Sequence, residues 1–111
     1  MSLYALNLFD LASNDDYLAY SRRSVEAVGR LGGTVAALGK LDPEAPVAVG
    51  DTPPRQAMVL VEWPSREAFQ AFLDDPDHAD LHPLRENGTR NYVWWAYERL
   101  EDLRPLLKPR G

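Results

Sequence analysis

The only two histidines of the chain, His78 and His82, stand four residues apart in D-P-D-H-A-D-L-H-P-L-R, and Arg85 follows three residues later. Imidazole exchanges protons near neutral pH, so either ring can serve as a general acid or base. A guanidinium keeps its charge at any physiological pH and can hold a carboxylate or the developing oxygen of an enolate. These residue types suit removal of a proton next to a carbonyl. Two other readings fit the same letters. The histidines can sit on a solvated helix edge and do no chemistry. H-x-x-x-H can also offer two ligands to a metal, but zinc usually takes at least a third from the protein. With no further histidine and no cysteine, only Asp80, Glu62 or Glu98 could complete such a set, and neither metal nor cofactor is expected. The chain has no glycine-rich phosphate loop and no G-x-S-x-G elbow.

The elements that must position these groups are readable from periodicity and punctuation. Asp75-Pro76 is an N-cap followed by proline at the first helical position, so a helical segment is expected from there to Asn87-Gly88. At about 100° per residue, His82 and Arg85 fall within about 40° of His78, and all three border the stripe of Leu81 and Leu84. Pro83 removes a backbone donor and is expected to kink that segment. The preceding helix is capped by Ser65 and buries Ala68, Phe69, Phe72 and Leu73.

Leu3 to Phe9 reads as a strand apolar on both faces, with Tyr4, Leu6 and Leu8 on one and Leu3, Ala5, Asn7 and Phe9 on the other. Asn7 needs a hydrogen-bond partner if buried. Ser13 opens a helix whose stripe is Tyr17, Tyr20, Ser24, Ala27, Val28 and Leu31, ended by Gly32-Gly33. Ser21 and Ser24 are small for that stripe. They permit either close approach of the helix to the sheet or room for a ligand. Thr34 to Leu41, Gln56 to Trp63 and Asn91 to Arg99 supply three more strands, and Asp42 to Pro54 is a proline-rich loop. Tyr92 and Trp94 point one way from the last strand, Trp95 and Tyr97 the other. Such rings most often build core and interface, yet they would also suit a flat, aromatic ligand.

The order βαββαβ is that of the ferredoxin-like fold, an α+β arrangement with a four-stranded antiparallel sheet. Residues 1–99 form that one domain, and 100–111 a leucine-bearing C-terminal arm. Two helices cover one sheet face only. The other is apolar on strands one, three and four, which is untenable for a soluble monomer, so a homodimer packed sheet to sheet is expected. A net charge of −5 argues against nucleic acid as a partner. No apolar run approaches a membrane span and no signal peptide opens the chain, so a cytoplasmic protein without a membrane partner is expected.

The run E-W-P-S-R-E-A-F-Q-A-F-L-D-D-P-D-H-A-D-L-H-P-L-R resembles the E-F-P-S…A…W…S-P-E-Y…L…R run of the domain of unknown function 1330 family, within the dimeric α/β-barrel superfamily. Tyr4, Tyr17, Tyr20 and Gly32-Gly33 are similar to its early pattern, and Arg85 matches a typical position. His78 stands where the family usually has tyrosine, and His82 at a site usually apolar or basic. The last strand is more aromatic than the family's, and the loop from Asp42 to Pro54 longer. The resemblance implies the dimeric barrel. It leaves activity open, because the superfamily includes cofactor-free monooxygenases, polyketide-type cyclases, lactone isomerases, haem enzymes and stress-response proteins. The expectation is a cofactor-independent cyclase, isomerase or monooxygenase acting on a carbonyl-bearing, apolar or aromatic small molecule. His78, His82 and Arg85 would do the chemistry, and Asn7, Tyr17, Tyr20, Trp63 and Trp94 would line the cleft. The alternative is a dimer that binds a small ligand without changing it, or a stress-associated protein.

Overall fold

Alternation along the first strand, β1 (Leu3–Leu11), sets the two faces of the sheet. Leu3, Ala5, Asn7 and Phe9 are buried, and the residues between them are half-buried. The computed structural model describes residues 2–107, the side chain of His78 excepted. After β1 come α1 (Asn14–Arg30), β2 (Thr34–Lys40), β3 (Ala57–Trp63), α2 (Arg66–Asp74), a 3-10 turn (Pro76–His78), α3 (Leu81–Gly88) and β4 (Thr89–Glu98). The four strands lie in the order β2-β3-β1-β4, each antiparallel to its neighbours, which is the ferredoxin-like arrangement. Register places Val59, Val61 and Trp63 of β3 and Trp94 of β4 on the same face as Asn7 and Ala5. The helices cover that face. Leu3, Ala5, Ala27, Val28, Val61, Trp63 and Phe72 form its buried core.

The opposite face carries Tyr4, Leu6, Leu8, Met58, Leu60, Val93, Trp95 and Tyr97, and among the described residues no helix packs over it. Trp95 and Tyr97 are each about half exposed. The leucines 100, 103, 106 and 107 of the following arm are exposed as well. Among the described residues no helix is long and apolar enough to cross a membrane.

Two local devices shape the helix-side face. Ser13 Oγ accepts from Asp16 N and starts α1, and Ser65 Oγ accepts from Ala68 N and starts α2. A bulge in β4 shifts the β1 register between Leu8 and Asp10, with Asn91 in the left-handed region at φ 55°. Asn91 Nδ2 donates to Asp10 Oδ2, Gln56 N donates to Asp10 Oδ1, and Arg55 Nε donates to Asn91 O. This bonding lets pairing continue, so β1 reaches Leu11 and β4 begins at Thr89.

The segment after α2 departs from the sequence expectation. Asp75 does cap it, accepting from Asp77 N, but the turn stops at His78 and α3 starts only at Leu81. His78 and His82 therefore do not share one helix. Pro83 is the third residue of α3, where the N–H has no partner within the helix in any case, so it leaves the helix unbroken.

Candidate functional site

The helices do not close evenly on the sheet. α1 packs chiefly against α3, and three contacts hold that pairing. Gly88 O accepts from Ala12 N and Ser13 N, so α3 ends against the start of α1. A Cβ on Gly88 would stand 2.8 Å from the Tyr17 backbone nitrogen, which is why the position is glycine. Arg23 forks onto both carboxylate oxygens of Asp80, and Arg30 Nη2 lies 2.6 Å from Asp75 Oδ2. α1 is thereby drawn toward α3, and a space is left over the β2–β3 side of the sheet.

That space is a cavity of about 250 Å³ between sheet and helices. Its apolar wall includes Ala5, Val28, Val35, Val59, Val61 and Phe72. Its mouth is rimmed by Val25, Val35 and Leu38, all exposed. Ser21 and Ser24 of α1 line it, so their small side chains leave space rather than bring the helix down on the sheet. Asn7, Tyr17, Tyr20, Trp63 and Trp94, named from the sequence, all line it too.

Polar groups gather at the end where β1, β4, α1 and α3 meet. Asn7 is buried, and its Nδ2 donates to Val59 O at 3.1 Å and to Ala5 O at 3.4 Å. Its Oδ1 accepts from the Tyr92 hydroxyl in a short hydrogen bond. The Tyr20 hydroxyl interacts with Tyr92, Arg85 and Ser24. Phe9 stacks on Tyr92 at 5.3 Å and lies 5.1 Å from the Tyr17 ring, which holds the three tyrosines together. Burial pushes the Tyr17, Tyr20 and Tyr92 hydroxyls above the usual phenol range, Tyr92 furthest, so all three keep their protons at neutral pH.

Arg85 lies behind this aromatic wall. Its guanidinium carbon is 5.4 Å from the Tyr92 ring centre and 5.2 Å from that of Trp94, within cation–π range. Nη1 stands 3.1 Å from His82 Nδ1. Arginine can only donate, so in a hydrogen bond here Nδ1 would be the acceptor. His82 is half-buried and touches Arg85, but neither residue lines the cavity directly. The His78 side chain lies outside the described residues. Among the described residues no group of three or more acids or histidines could hold a metal; Asp80 pairs with Arg23 instead.

Phe9 and Phe72 belong to this site without having been singled out from the sequence, and Tyr92 was named there only among the rings that would suit an aromatic ligand. Tyr92 had a usable signal, since strand alternation puts it on the face of Trp94. The indole Nε1 atoms of Trp63 and Trp94 are buried without a hydrogen-bond partner. Edge-to-face contacts pack Trp94 against Phe69, Phe72 and Tyr92.

The model of the family described as domain of unknown function DUF1330 matches residues 2–96. Among solved structures, a protein of unknown function from Rhodopseudomonas palustris is similar, with a TM-score of 0.78 and 23% identity over 91% of this chain and 84% of that one. SnoaB from Streptomyces nogalater, described as a cofactor-independent oxygenase, superposes with a TM-score of 0.64 at 12% identity, covering 92% of this chain and 96% of its own. A dimeric ferredoxin-like protein of unknown function from Jannaschia sp. CCS1 gives a TM-score of 0.65 at 13% identity over 89% of this chain and all of that one. At these identities the likeness shows the fold. No curated protein matches the chain.

Proposed function

The chain belongs to the DUF1330 family, and from that premise we propose a cofactor-independent enzyme acting on a small aromatic or polyketide-like carbonyl compound. One observation carries the reading: an apolar cavity ends in a cluster of tyrosine hydroxyls backed by a cation with no carboxylate partner among the described residues. Cyclisation, isomerisation and cofactor-free oxygenation of a carbonyl compound can all pass through an enolate. A positive, hydrogen-bonding end within an apolar wall favours that anion. The cavity volume lies just below the ~300–1,000 Å³ usual for drug-sized ligands, so a one- or two-ring molecule fits best. SnoaB, a cofactor-independent oxygenase on the same fold, supports the class of chemistry. Proton removal is assigned to His82 or His78; His82 Nδ1 stands 3.1 Å from Arg85 Nη1, so that contact has to open before Nδ1 can take a proton.

The test is deuterium exchange at the carbon next to the carbonyl of 2-tetralone, followed by NMR. The wild type should accelerate exchange, and the His78→Ala/His82→Ala variant, folded by circular dichroism, should not. Full exchange by that folded variant sinks the histidine assignment. For an identified substrate, turnover that stops without oxygen marks an oxygenase, and turnover that continues marks an isomerase or cyclase.

A second reading is a dimer that binds a small ligand without converting it. It is favoured by the position of His82 outside the cavity lining, with Nδ1 already engaged. Binding of 2-tetralone with no accelerated exchange would select it.

In either case we propose that the working unit is a homodimer joined through the open sheet face. Trp95 and Tyr97 on it are half exposed, no helix covers it among the described residues, and relatives of this fold, such as the Jannaschia protein, are described as dimeric. The exposed arm leucines are available to extend that interface.

A further inference from the structure

Within the reading of the cavity as a small-molecule site, we propose that Tyr20 is the residue that donates to the ligand oxygen. Arg85 acts through it, so the cavity selects an anionic oxygen, enolate or phenolate, over the neutral form. The first support is an accounting of donors. The Tyr92 hydrogen is committed to Asn7 Oδ1, and both Asn7 amide contacts go to backbone carbonyls. Ser24 Oγ donates to Ser21 O in its own helix. The two indole N–H groups are sealed from solvent, so a ligand in the open space does not meet them. Of the remaining hydroxyls that line the cavity, those of Tyr17, Tyr20 and Ser21, the one with Tyr92, Ser24 and Arg85 beside it is that of Tyr20.

The second support is the polarity that these neighbours impose. Arg85 has donors only, so toward Tyr20 it can only donate, and it occupies lone pairs of the phenol oxygen. The Tyr20 hydrogen is left to point at an acceptor: Ser24 Oγ, the Tyr92 oxygen or a ligand. A phenol whose oxygen already accepts from a cation is a stronger donor than a free one. The third support is charge. The polar contacts of Arg85 are with His82 Nδ1 and Tyr20, its ring partners are Tyr92 and Trp94, and no carboxylate pairs with it among the described residues. A half-buried positive charge behind an apolar cavity rewards an anion in it. Tyr17 shares the lining but has Phe9 and Tyr20 as ring neighbours and no contact with the cation.

The experiment uses 2-naphthol, a two-ring phenol whose absorbance reports its ionisation. Bound to the wild type, it should ionise at least one pH unit below the free compound, meaning tenfold or greater preference for naphtholate, with the proton released to water. Tyr20→Phe should abolish that shift while neutral naphthol still binds. Arg85→Gln should reduce it and Arg85→Lys restore part of it, a pattern that loss of packing would not produce. If Tyr20→Phe does not fold, the Arg85 pair decides. An unshifted probe on the wild type overturns the inference and leaves the cavity reading standing. A shift that survives Tyr20→Phe but vanishes in Tyr17→Phe also overturns it. No binding to the wild type overturns both.

Discussion

The two faces of the sheet are built from alternate residues of the same strands, yet they have opposite chemistry. The helix-side face of β1 and β4 includes Asn7, Tyr92 and Trp94, and the polar atoms of Asn7 and Tyr92 are drawn into one hydrogen-bonded chain that ends at Arg85. The open face presents Tyr4, Leu6, Leu8, Leu60, Trp95 and Tyr97. A buried polar group costs least when bonded, so the Asn7–Tyr92 pair can hold a specific arrangement around a hole. The second face offers area, which suits flat packing against another apolar surface. The contrast separates a site from an interface within one layer.

The largest effect should come from attacking the open face. Leu6 and Trp95 are direct cross-strand partners there, and Leu6→Glu/Trp95→Glu removes two apolar anchors worth about 1.5–3 kcal/mol each when buried. Light scattering at sub-micromolar concentration should fall from twice the chain mass, with aggregation or a melting point lower by more than about 10 °C. A wild type that scatters as a stable monomer breaks the comparison at once. Next is Trp63→Ala on the other face. Trp63 is 1% exposed and serves core and cavity together, so a loss of about 3–5 kcal/mol is expected from urea unfolding. Dimer mass at high protein concentration should be unchanged.

A smaller change sharpens the account of why the cavity exists. Gly88→Ala forces a methyl group against the Tyr17 backbone and should cost about 1–3 kcal/mol. Because it shifts α3 relative to α1, it should also weaken naphtholate preference more than neutral naphthol binding.

Why some of this was legible and some not follows from the range of the interactions. Strand alternation and the caps at Ser13, Ser65 and Asp75 are local, and they placed the four strands, the starts of α1, α2 and the turn at Pro76, and both sheet faces. The stripe of Tyr17 and Tyr20 and the exceptional Asn7 were visible for the same reason. The partner of Asn7 was not, since Tyr92 lies 85 residues away and is brought opposite only by sheet register. The helix break after His78 was missed because Ala79 and Asp80 are compatible with helix; a tertiary ion pair to Arg23 fixes Asp80 instead. The cavity itself arises from α1 leaning on α3, which no periodicity encodes.

The smallest expected effect concerns the bulge that carries β4 past Asp10. Hydrogen bonds from Asn91 and Gln56 hold the Asp10 carboxyl below its ordinary value. A depressed folded-state value means that this stabilisation is complete above about pH 4 and is lost as pH falls through the lower, folded value. Asp10→Asn should therefore flatten the loss of stability below about pH 4 in acid titrations followed by circular dichroism. An unchanged slope would show that the Asp10 bonds do not contribute.

The measurement closest to the central claim, that the helix-side face is a ligand site, is the binding of 2-acetylnaphthalene followed by tryptophan fluorescence. Wild type and Ser24→Leu are compared, since leucine at that position fills the cavity from α1 without touching the open face. The account predicts saturable binding of one ligand per chain to the wild type. It predicts at least tenfold weaker binding to Ser24→Leu, at unchanged dimer mass and equal or higher melting temperature. Equal affinity for the two proteins would place the ligand elsewhere and contradict it.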